Sequence, residues 1–99
     1  MNGLRKNLDW NQMRALLATV EAGSLSAAAK ALGLTQPTLG RQVAALEESL
    51  GLAIFERVGR SLVLTEAGQL LVADLRDMGA AAERVTVSAA AQSQSIEGV

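Results

Sequence analysis

Several chemically active residue types are missing from this 99-residue sequence. It contains no cysteine, no histidine and no tyrosine, and only one tryptophan and one phenylalanine. Without thiols there is neither a disulfide nor a thiolate metal site. Without histidine the commonest general base and metal ligand is absent. The sequence also has no glycine-rich phosphate loop and no carboxylate cluster in a pocket context. We therefore expect a protein that is not an enzyme and needs no metal or cofactor.

Long apolar runs are also missing, although 49% of the residues are hydrophobic. No run approaches the roughly 20 residues of a membrane helix, and the N-terminus lacks the apolar core of a signal peptide. We therefore expect a cytoplasmic protein with no membrane partner. The apolar residues are mostly Ala, Leu and Val, which favours helices, and the length corresponds to one domain with a modest core.

Charge is unevenly distributed along the chain, whose net charge is −1. Residues 1–65 contain seven basic and five acidic side chains, a balance of +2. Residues 66–99 contain two basic and five acidic side chains, a balance of −3. A weakly basic N-terminal part predicts few phosphate contacts per subunit, so tight binding to a nucleic acid would require two subunits together.

Residues 24–46, SLSAAAKALGLTQPTLGRQVAAL, predict two helices joined by a tight turn. Ser24 or Ser26 is the N-cap of the first helix, Gly33 supplies the positive φ of the turn, and Thr35 caps the second helix. One apolar stripe follows the cap at helical spacing: Leu39, Val43, Leu46 and Leu50. Glu47 and Glu48, near the end of this helix, are expected on a solvated face.

Polar residues at the start of the second helix indicate a helix-turn-helix motif, in which that helix enters the DNA major groove. Gln36 or Gln42 can pair with adenine, and Arg41 with guanine or a phosphate. Pro37 suits a thymine methyl group. The candidate DNA-binding residues here are Ser26, Lys30, Thr35, Gln36, Pro37, Thr38, Arg41 and Gln42. An ordinary helical hairpin remains the alternative for this stretch, and a merely solvated Lys30 is equally compatible with the pattern.

The stretch from Leu52 to Thr65 changes period and predicts a short β-hairpin that turns at Gly59. Its apolar side chains Phe55, Leu62 and Leu64 are expected to point inward. Arg57 and Arg60 then lie at or beside the tip, where guanidinium groups can contact phosphates or a narrow minor groove. Ordinary surface arginines are the alternative, and the preceding helix pair favours the DNA-contacting interpretation.

Two further helices flank this central part. Asp9 is the expected N-cap of a first helix that ends near Gly23, with Trp10 packing in the core or at its edge. Thr65 caps the last helix, with Glu66 favourable at its positive end. That helix carries a 3.5-residue apolar repeat, the seam, at Leu71, Leu75, Met78, Ala82, Val85 and Ala89. Such a repeat is typical of a two-stranded coiled coil and predicts dimerisation.

The run GSLSAAAKALGLTQPTLGRQVAALEESLGLAIFER, continuing to GRSLVLTEAG, resembles the winged helix-turn-helix domain of LysR-type transcriptional regulators. The resemblance covers roughly residues 8–87. Its motifs come in one order without a gap: T-Q-P, R-Q one turn later, L-E-E before L-G, F-E-R, and L-T-E-A-G. One departure is Gly40, where the family commonly has serine, which puts a base contact at that position in doubt.

The resemblance implies a mainly α fold and an organisation of the chain. A three-helix winged helix-turn-helix domain would span residues 1–65, with the helix-turn-helix at about 25–44 and the β-hairpin wing at about 53–64. Residues 66–91 would form a linker helix that pairs two copies, and residues 92–99 a hinge. The family's C-terminal effector-binding domain is absent from this sequence, so we expect an excised fragment rather than a naturally short relative.

The resemblance also implies partners. These are a double-stranded DNA operator of imperfectly palindromic sequence, a second copy through the last helix, a tetramer in the full-length protein, and a small-molecule co-inducer acting through the absent effector domain. The alternative function is a winged-helix protein-interaction module. The overall acidity supports that alternative, whereas the low aromatic content and the polar T-Q-P-T surface argue against it, because interface centres favour aromatic residues.

Overall fold

The computed structural model describes residues 8–97, with the backbone alone described for residues 95–97. Within this range four helices and a two-stranded antiparallel sheet follow one another along the chain. They are α1 (Trp10–Ala22), α2 (Leu25–Leu32), α3 (Gln36–Leu50), β1 (Phe55–Val58), β2 (Ser61–Leu64) and α4 (Glu66–Glu97). The predicted order of three helices, a hairpin and a long last helix is confirmed.

The first helix has the ends that the sequence predicts. Asp9 Oδ1 accepts a hydrogen bond from the Asn11 N–H at 2.7 Å, and Gly23 ends the helix with a left-handed φ of 85°. Trp10 is 40% exposed and is not a member of the buried core. Thr19 is buried, and its hydroxyl donates to the Ala15 carbonyl at 2.7 Å.

The second helix is capped by Ser24 rather than Ser26, because Ser24 Oγ accepts from the Ala27 N–H at 3.1 Å. Its buried residues are Ala28 and Ala29, and these small side chains allow α1 and α3 to approach closely. Gly33 makes the turn into α3 with a φ of 68°. The turn therefore has the chemistry that the sequence predicts.

The core lies between the three helices and the start of α4. The predicted stripe on α3 is confirmed, with Leu39, Val43 and Leu46 buried and Leu50 half-buried. Other members of the same buried cluster are Met13, Ala15, Leu16, Ala28, Ala29, Ile54 and Leu75. Helices α1, α2 and α3 thus form a trihelical body, and residues from the hairpin's entry and from α4 close it.

The hairpin pairs Phe55 with Leu64 and Arg57 with Leu62, and Gly59 at its turn has a φ of 62°. Phe55 and Leu64 pack against the core, as predicted. Leu62 is 38% exposed, so the inward orientation predicted for it is wrong. Leu62 shares a face of the hairpin with Arg57 because the two are directly paired, and that face borders an open groove rather than the core.

Ile54 attaches the hairpin to the rest of the molecule. Its side chain is fully buried, and its carbonyl oxygen accepts from the Thr65 N–H at 2.9 Å. The Thr65 hydroxyl donates to the Ala53 carbonyl at 2.6 Å and accepts from the Gly68 N–H at 3.0 Å. Thr65 is therefore the N-cap of α4, as predicted, and it also fixes α4 to the segment that precedes β1.

The last helix is 32 residues long, which corresponds to about 48 Å. The hinge predicted at 92–99 is wrong for residues 92–97, which continue α4; residues 98 and 99 lie outside the described residues. This segment contains two glutamines and a glutamate and follows three alanines, all good helix formers. The apolar repeat is lost in this segment, so the helix has no apolar face to pack there. A helix can nevertheless continue without such a face.

The predicted seam requires a second correction. Leu75 is 3% exposed and belongs to the core of its own chain, and Leu71 packs partly against the same core. Both side chains are therefore used within the protomer. Of the remaining predicted seam residues, Ala82 is half-buried, whereas Met78 is 40% and Val85 68% exposed.

In the part of the chain that the structure describes, no helix combines the length and the apolar character required to cross a membrane.

Candidate nucleic-acid interface

The N-terminus of α3 presents polar side chains on the surface. Thr35 Oγ1 accepts from the Thr38 N–H at 3.3 Å and so caps the helix. Gln36 and Pro37, which follow the cap, are both exposed, whereas Leu39 on the opposite side is fully buried. Burial of the apolar stripe therefore orients α3 so that its first turn faces outward.

A side-chain network runs along this outer face. The Thr35 hydroxyl donates to Thr38 Oγ1 at 2.8 Å, and Arg41 Nη2 donates to the same oxygen at 3.2 Å. A hydroxyl has one hydrogen and two acceptor sites. Since Thr38 Oγ1 already accepts two hydrogen bonds, its own hydrogen remains available to donate to an external acceptor. The network also holds the Arg41 guanidinium along the helix rather than extended into solvent.

The hairpin supplies two cations beside this helix. Arg57 is on β1, and Arg60 follows Gly59 in the turn. Both side chains are exposed. The left-handed φ of Gly59 allows the tight reversal that brings the two arginines to the same end of the hairpin.

One groove connects these elements. It has a volume of about 450 Å³ and lies between the start of α2, the start of α3 and the hairpin. Its lining residues are Gly23, Ser24, Leu25, Ser26, Gln36, Arg57, Arg60, Ser61 and Leu62. None of these is acidic, two are arginines and three are serines. A groove with this lining offers hydrogen-bond donors and positive charge to a polyanion.

The groove brings together four of the predicted DNA-binding residues: Ser26, Gln36, Arg57 and Arg60. Thr35, Pro37, Thr38 and Arg41 lie on the adjoining outer face of α3. Lys30 is exposed in the last turn of α2 and does not line the groove. The predicted residues thus form one surface across α3 and the hairpin, with Lys30 apart from it.

Gln42 differs from Gln36, although the sequence offered both as readers of adenine. Gln42 is half-buried, and its Oε1 atom is buried without a hydrogen-bond partner. A bidentate pair with adenine needs both the amide oxygen and the amide nitrogen. Gln42 cannot make that pair in this orientation, so the geometry favours Gln36.

Sequence reasoning missed three residues. Ser24 and Ser61 line the groove, and the signal for Ser24 was its position beside Ser26 at the same helix end. Glu47, expected on a solvated face, is half-buried instead. Its Oε2 accepts from the Ile54 N–H at 2.7 Å and from the Phe55 N–H at 3.1 Å. The expectation for Glu47 was wrong because those backbone donors come from a segment seven and eight residues later.

Three packed helices, the second and third joined by a glycine turn and followed by a hairpin, define a winged helix-turn-helix domain. Residues 10–69 match the sequence model of the family described as bacterial regulatory helix-turn-helix protein, lysR family. The chain belongs to this family, which confirms the resemblance on which the organisation was predicted.

Relatives and solved structures agree with this assignment. The transcriptional regulator ClcR of Pseudomonas putida is 41% identical over 69 residues, which cover 70% of this chain and 24% of ClcR. The crystal structure of the CbnR DNA-binding domain with DNA is 36% identical with a TM-score of 0.73, covering 87% of this chain and 99% of that chain. The complex of the BenM DNA-binding domain with benA site 1 DNA is 27% identical with a TM-score of 0.77, covering 87% and 97%.

The chain spans about a quarter of the length of ClcR. The comparison therefore concerns the helix-turn-helix domain and the helix that follows it. ClcR is named as a transcriptional regulator, in line with the expectation that this domain is not an enzyme.

Proposed function

We propose that this chain binds double-stranded DNA as the DNA-binding domain of a LysR-type transcriptional regulator. The start of α3 enters the major groove, and Arg57 and Arg60 contact the neighbouring backbone or minor groove. The observation that carries the proposal is the non-acidic groove that places Gln36 opposite both arginines. A DNA-binding role also makes a cytoplasmic location part of the proposal.

The chemistry of this surface suits a duplex. The start of α3 carries uncharged side chains, most of them polar, so base edges can approach the helix closely. Gln36 is the residue placed for adenine, and Arg41 for guanine or a phosphate. The remaining Thr38 hydroxyl hydrogen suits an acceptor such as a phosphate oxygen. The two hairpin arginines contact the DNA beside the major groove that α3 enters. There a narrow DNA minor groove concentrates negative potential.

A second copy of the chain pairs through α4 in this proposal. Met78 and Val85 are exposed and seven residues apart, so they lie on the same side of the helix. Leu70, which is 72% exposed, adds a further apolar side chain to the unpaired surface of α4. Pairing gives two winged helix-turn-helix domains related by two-fold symmetry, so the operator is an imperfect palindrome. The modest charge of one domain makes this pairing necessary for tight binding.

Fluorescence anisotropy of the full 99-residue chain against a random-sequence duplex pool tests DNA binding directly. The titration is made at two salt concentrations, and bound duplexes are recovered and sequenced. We expect salt-dependent binding, enrichment of a half-site, and weaker binding by Arg41→Ala. A folded, dimeric chain that fails to bind even at low salt would contradict the proposal and favour a protein-interaction module instead.

Sedimentation equilibrium tests the pairing independently of DNA. We expect the wild-type chain to dimerise and Val85→Asp to shift it towards the monomer, because a carboxylate in the pairing surface is costly to bury. Glu83→Gln is the control, since it changes an exposed charge on the side of α4 that faces away from Met78 and Val85. Equal association of Val85→Asp and the wild type would show that the exposed apolar residues of α4 do not pair.

A further inference from the structure

We propose that Glu47 is a positioning residue for DNA binding, one that sets the place of the hairpin relative to α3. This inference rests on the proposed function, because its consequence is measured as DNA affinity. Glu47 is on α3, and its carboxylate oxygen Oε2 accepts the N–H groups of both Ile54 and Phe55, at 2.7 and 3.1 Å. One side chain of the recognition helix thus holds the two residues from which the hairpin begins.

Hydrogen bonds to an ionised carboxylate are stronger than those between neutral groups. They are also directional, so they specify where the backbone of Ile54 and Phe55 lies. Phe55 is the first residue of β1, and Arg57 follows two residues later. Side chains two residues apart in a strand share a face. A shift of the Phe55 backbone therefore displaces the Arg57 guanidinium relative to α3.

Packing alone does not fix that distance. A second groove of about 320 Å³ separates α3 from the hairpin. It is lined by Leu25, Gly40, Val43, Ala44, Glu47, Phe55, Arg57 and Leu62. A Cβ built on Gly40 meets no atom within 4 Å, so α3 does not brace the hairpin at that point. Because this gap is unfilled, the hydrogen bonds of Glu47 add a directional constraint to the core packing of Ile54 and Phe55.

Ile54 is held from the other side as well, since its carbonyl oxygen accepts from Thr65 at the start of α4. Loss of the Glu47 hydrogen bonds therefore leaves Ile54 attached to α4 while releasing β1 from α3. The expected consequence is a folded domain whose hairpin arginines are less well placed, rather than an unfolded chain.

The test measures, by anisotropy, the DNA affinity of variants of the 99-residue chain for a duplex recovered from the random pool. We expect Glu47→Ala to weaken DNA binding about tenfold. A change of this size corresponds to the loss of about one charge-assisted hydrogen bond between a displaced arginine and the DNA. Glu47→Gln restores most of the affinity, because an amide oxygen can accept the same N–H groups. Glu48→Ala is the matched control: it removes the same charge from the next, exposed position, and we expect its affinity to stay within about twofold of the wild type.

A double-mutant cycle with Arg57→Ala separates positioning from general stability. If Glu47 acts through the hairpin, Glu47→Ala weakens binding much less when Arg57 is already alanine. An equal weakening in both backgrounds would overturn the inference. The inference would also be overturned if the wild type binds and the Glu47→Ala and Glu48→Ala variants have identical affinities. That result would leave the proposed function intact. Failure of the wild type to bind any duplex would overturn both.

Amide hydrogen exchange provides a measurement that does not depend on the alanine variant folding. We expect the Ile54 and Phe55 amides to be protected in the wild type and to exchange somewhat faster in Glu47→Gln, whose neutral amide oxygen accepts the same hydrogen bonds more weakly, with the amides of α1 unchanged. Fast exchange of both amides in the wild type would contradict the hydrogen bonds on which the inference depends.

Discussion

Both α3 and α4 begin at a threonine N-cap and carry a glycine among their first five residues, yet the two helices use these residues differently. The Thr35 hydroxyl faces the surface and joins Thr38 and, through it, Arg41. The Thr65 hydroxyl is directed at the segment before β1 and donates to the Ala53 carbonyl. The same local signal for a helix start therefore serves an exposed polar surface in α3 and a fixed junction in α4.

The two glycines repeat this difference. A Cβ built on Gly40 meets nothing within 4 Å, whereas a Cβ on Gly68 overlaps the Ile54 carbonyl oxygen. Gly68 is required by close packing between α4 and the segment before β1. Gly40 has no such packing constraint and leaves a gap beside the hairpin. The comparison shows that propensity defines where a helix starts, while tertiary contacts decide what its first residues do.

The largest expected change in the free energy of unfolding is at the contact between the start of α4 and the segment before β1. Gly68→Ala should lower the free energy of unfolding by about 3 kcal/mol, because the new methyl group meets backbone that cannot move away easily. Gly40→Ala should raise it by about 0.5–1 kcal/mol, as alanine is the better helix former and has room. Urea denaturation followed by circular dichroism measures both. Equal and small effects at the two positions would show that the contact at Gly68 is not tight.

The next effect separates the two halves of α4. Val72 is 2% and Val85 68% exposed. The same substitution can therefore be made in the half of α4 that packs on the core and in its outer half. Val72→Ala should lower the free energy of unfolding by about 2 kcal/mol through lost burial and a residual cavity. Val85→Ala should leave the unfolding of a dilute monomer almost unchanged. A similar destabilisation by both variants at low concentration would place the outer half of α4 in the folded core.

Alanine substitutions of the two capping threonines should differ less in their effect on the free energy of unfolding than the two valine substitutions do. Thr65→Ala should cost about 2 kcal/mol, since it removes a cap and a hydrogen bond to a loop carbonyl. Thr35→Ala should cost about 1 kcal/mol, the ordinary value for an exposed cap, but it should weaken DNA binding. Thermal unfolding together with anisotropy gives both quantities. A stability loss at Thr35 as large as that at Thr65 would contradict the assignment of Thr35 to the surface.

Much of the fold was predictable because its signals are local. Asp9, Ser24 or Ser26, Thr35 and Thr65 marked helix starts, and Gly23, Gly33 and Gly59 marked turns. Each of these depends on atoms within a few residues. The stripe on α3 was equally clear, since helical spacing of apolar residues needs no knowledge of the partner helix.

Two of the errors have a different cause, which is the distance along the chain between the residues in contact. Leu75 matched a coiled-coil repeat, but it is buried in the core of its own protomer, where α4 packs against α1. Glu47 had no local partner, and its donors come from the hairpin entry. The predicted hinge was wrong for another reason, because a polar segment that follows a run of alanines and has no apolar pattern can still continue a helix. In the candidate interface, the residues were predictable individually, whereas the groove that joins Gln36 to the arginines required the fold.

The central claim is that the surface formed by α3 and the hairpin contacts DNA while the outer part of α4 does not. The most direct test is the salt dependence of DNA affinity for Arg57→Ala beside Arg84→Ala, two exposed arginines in the two regions. Each lost phosphate contact reduces the slope of log K against log salt by about 1. We predict a reduced slope for Arg57→Ala and the wild-type slope for Arg84→Ala. The same slope for both variants, or a reduction confined to Arg84→Ala, would contradict the account.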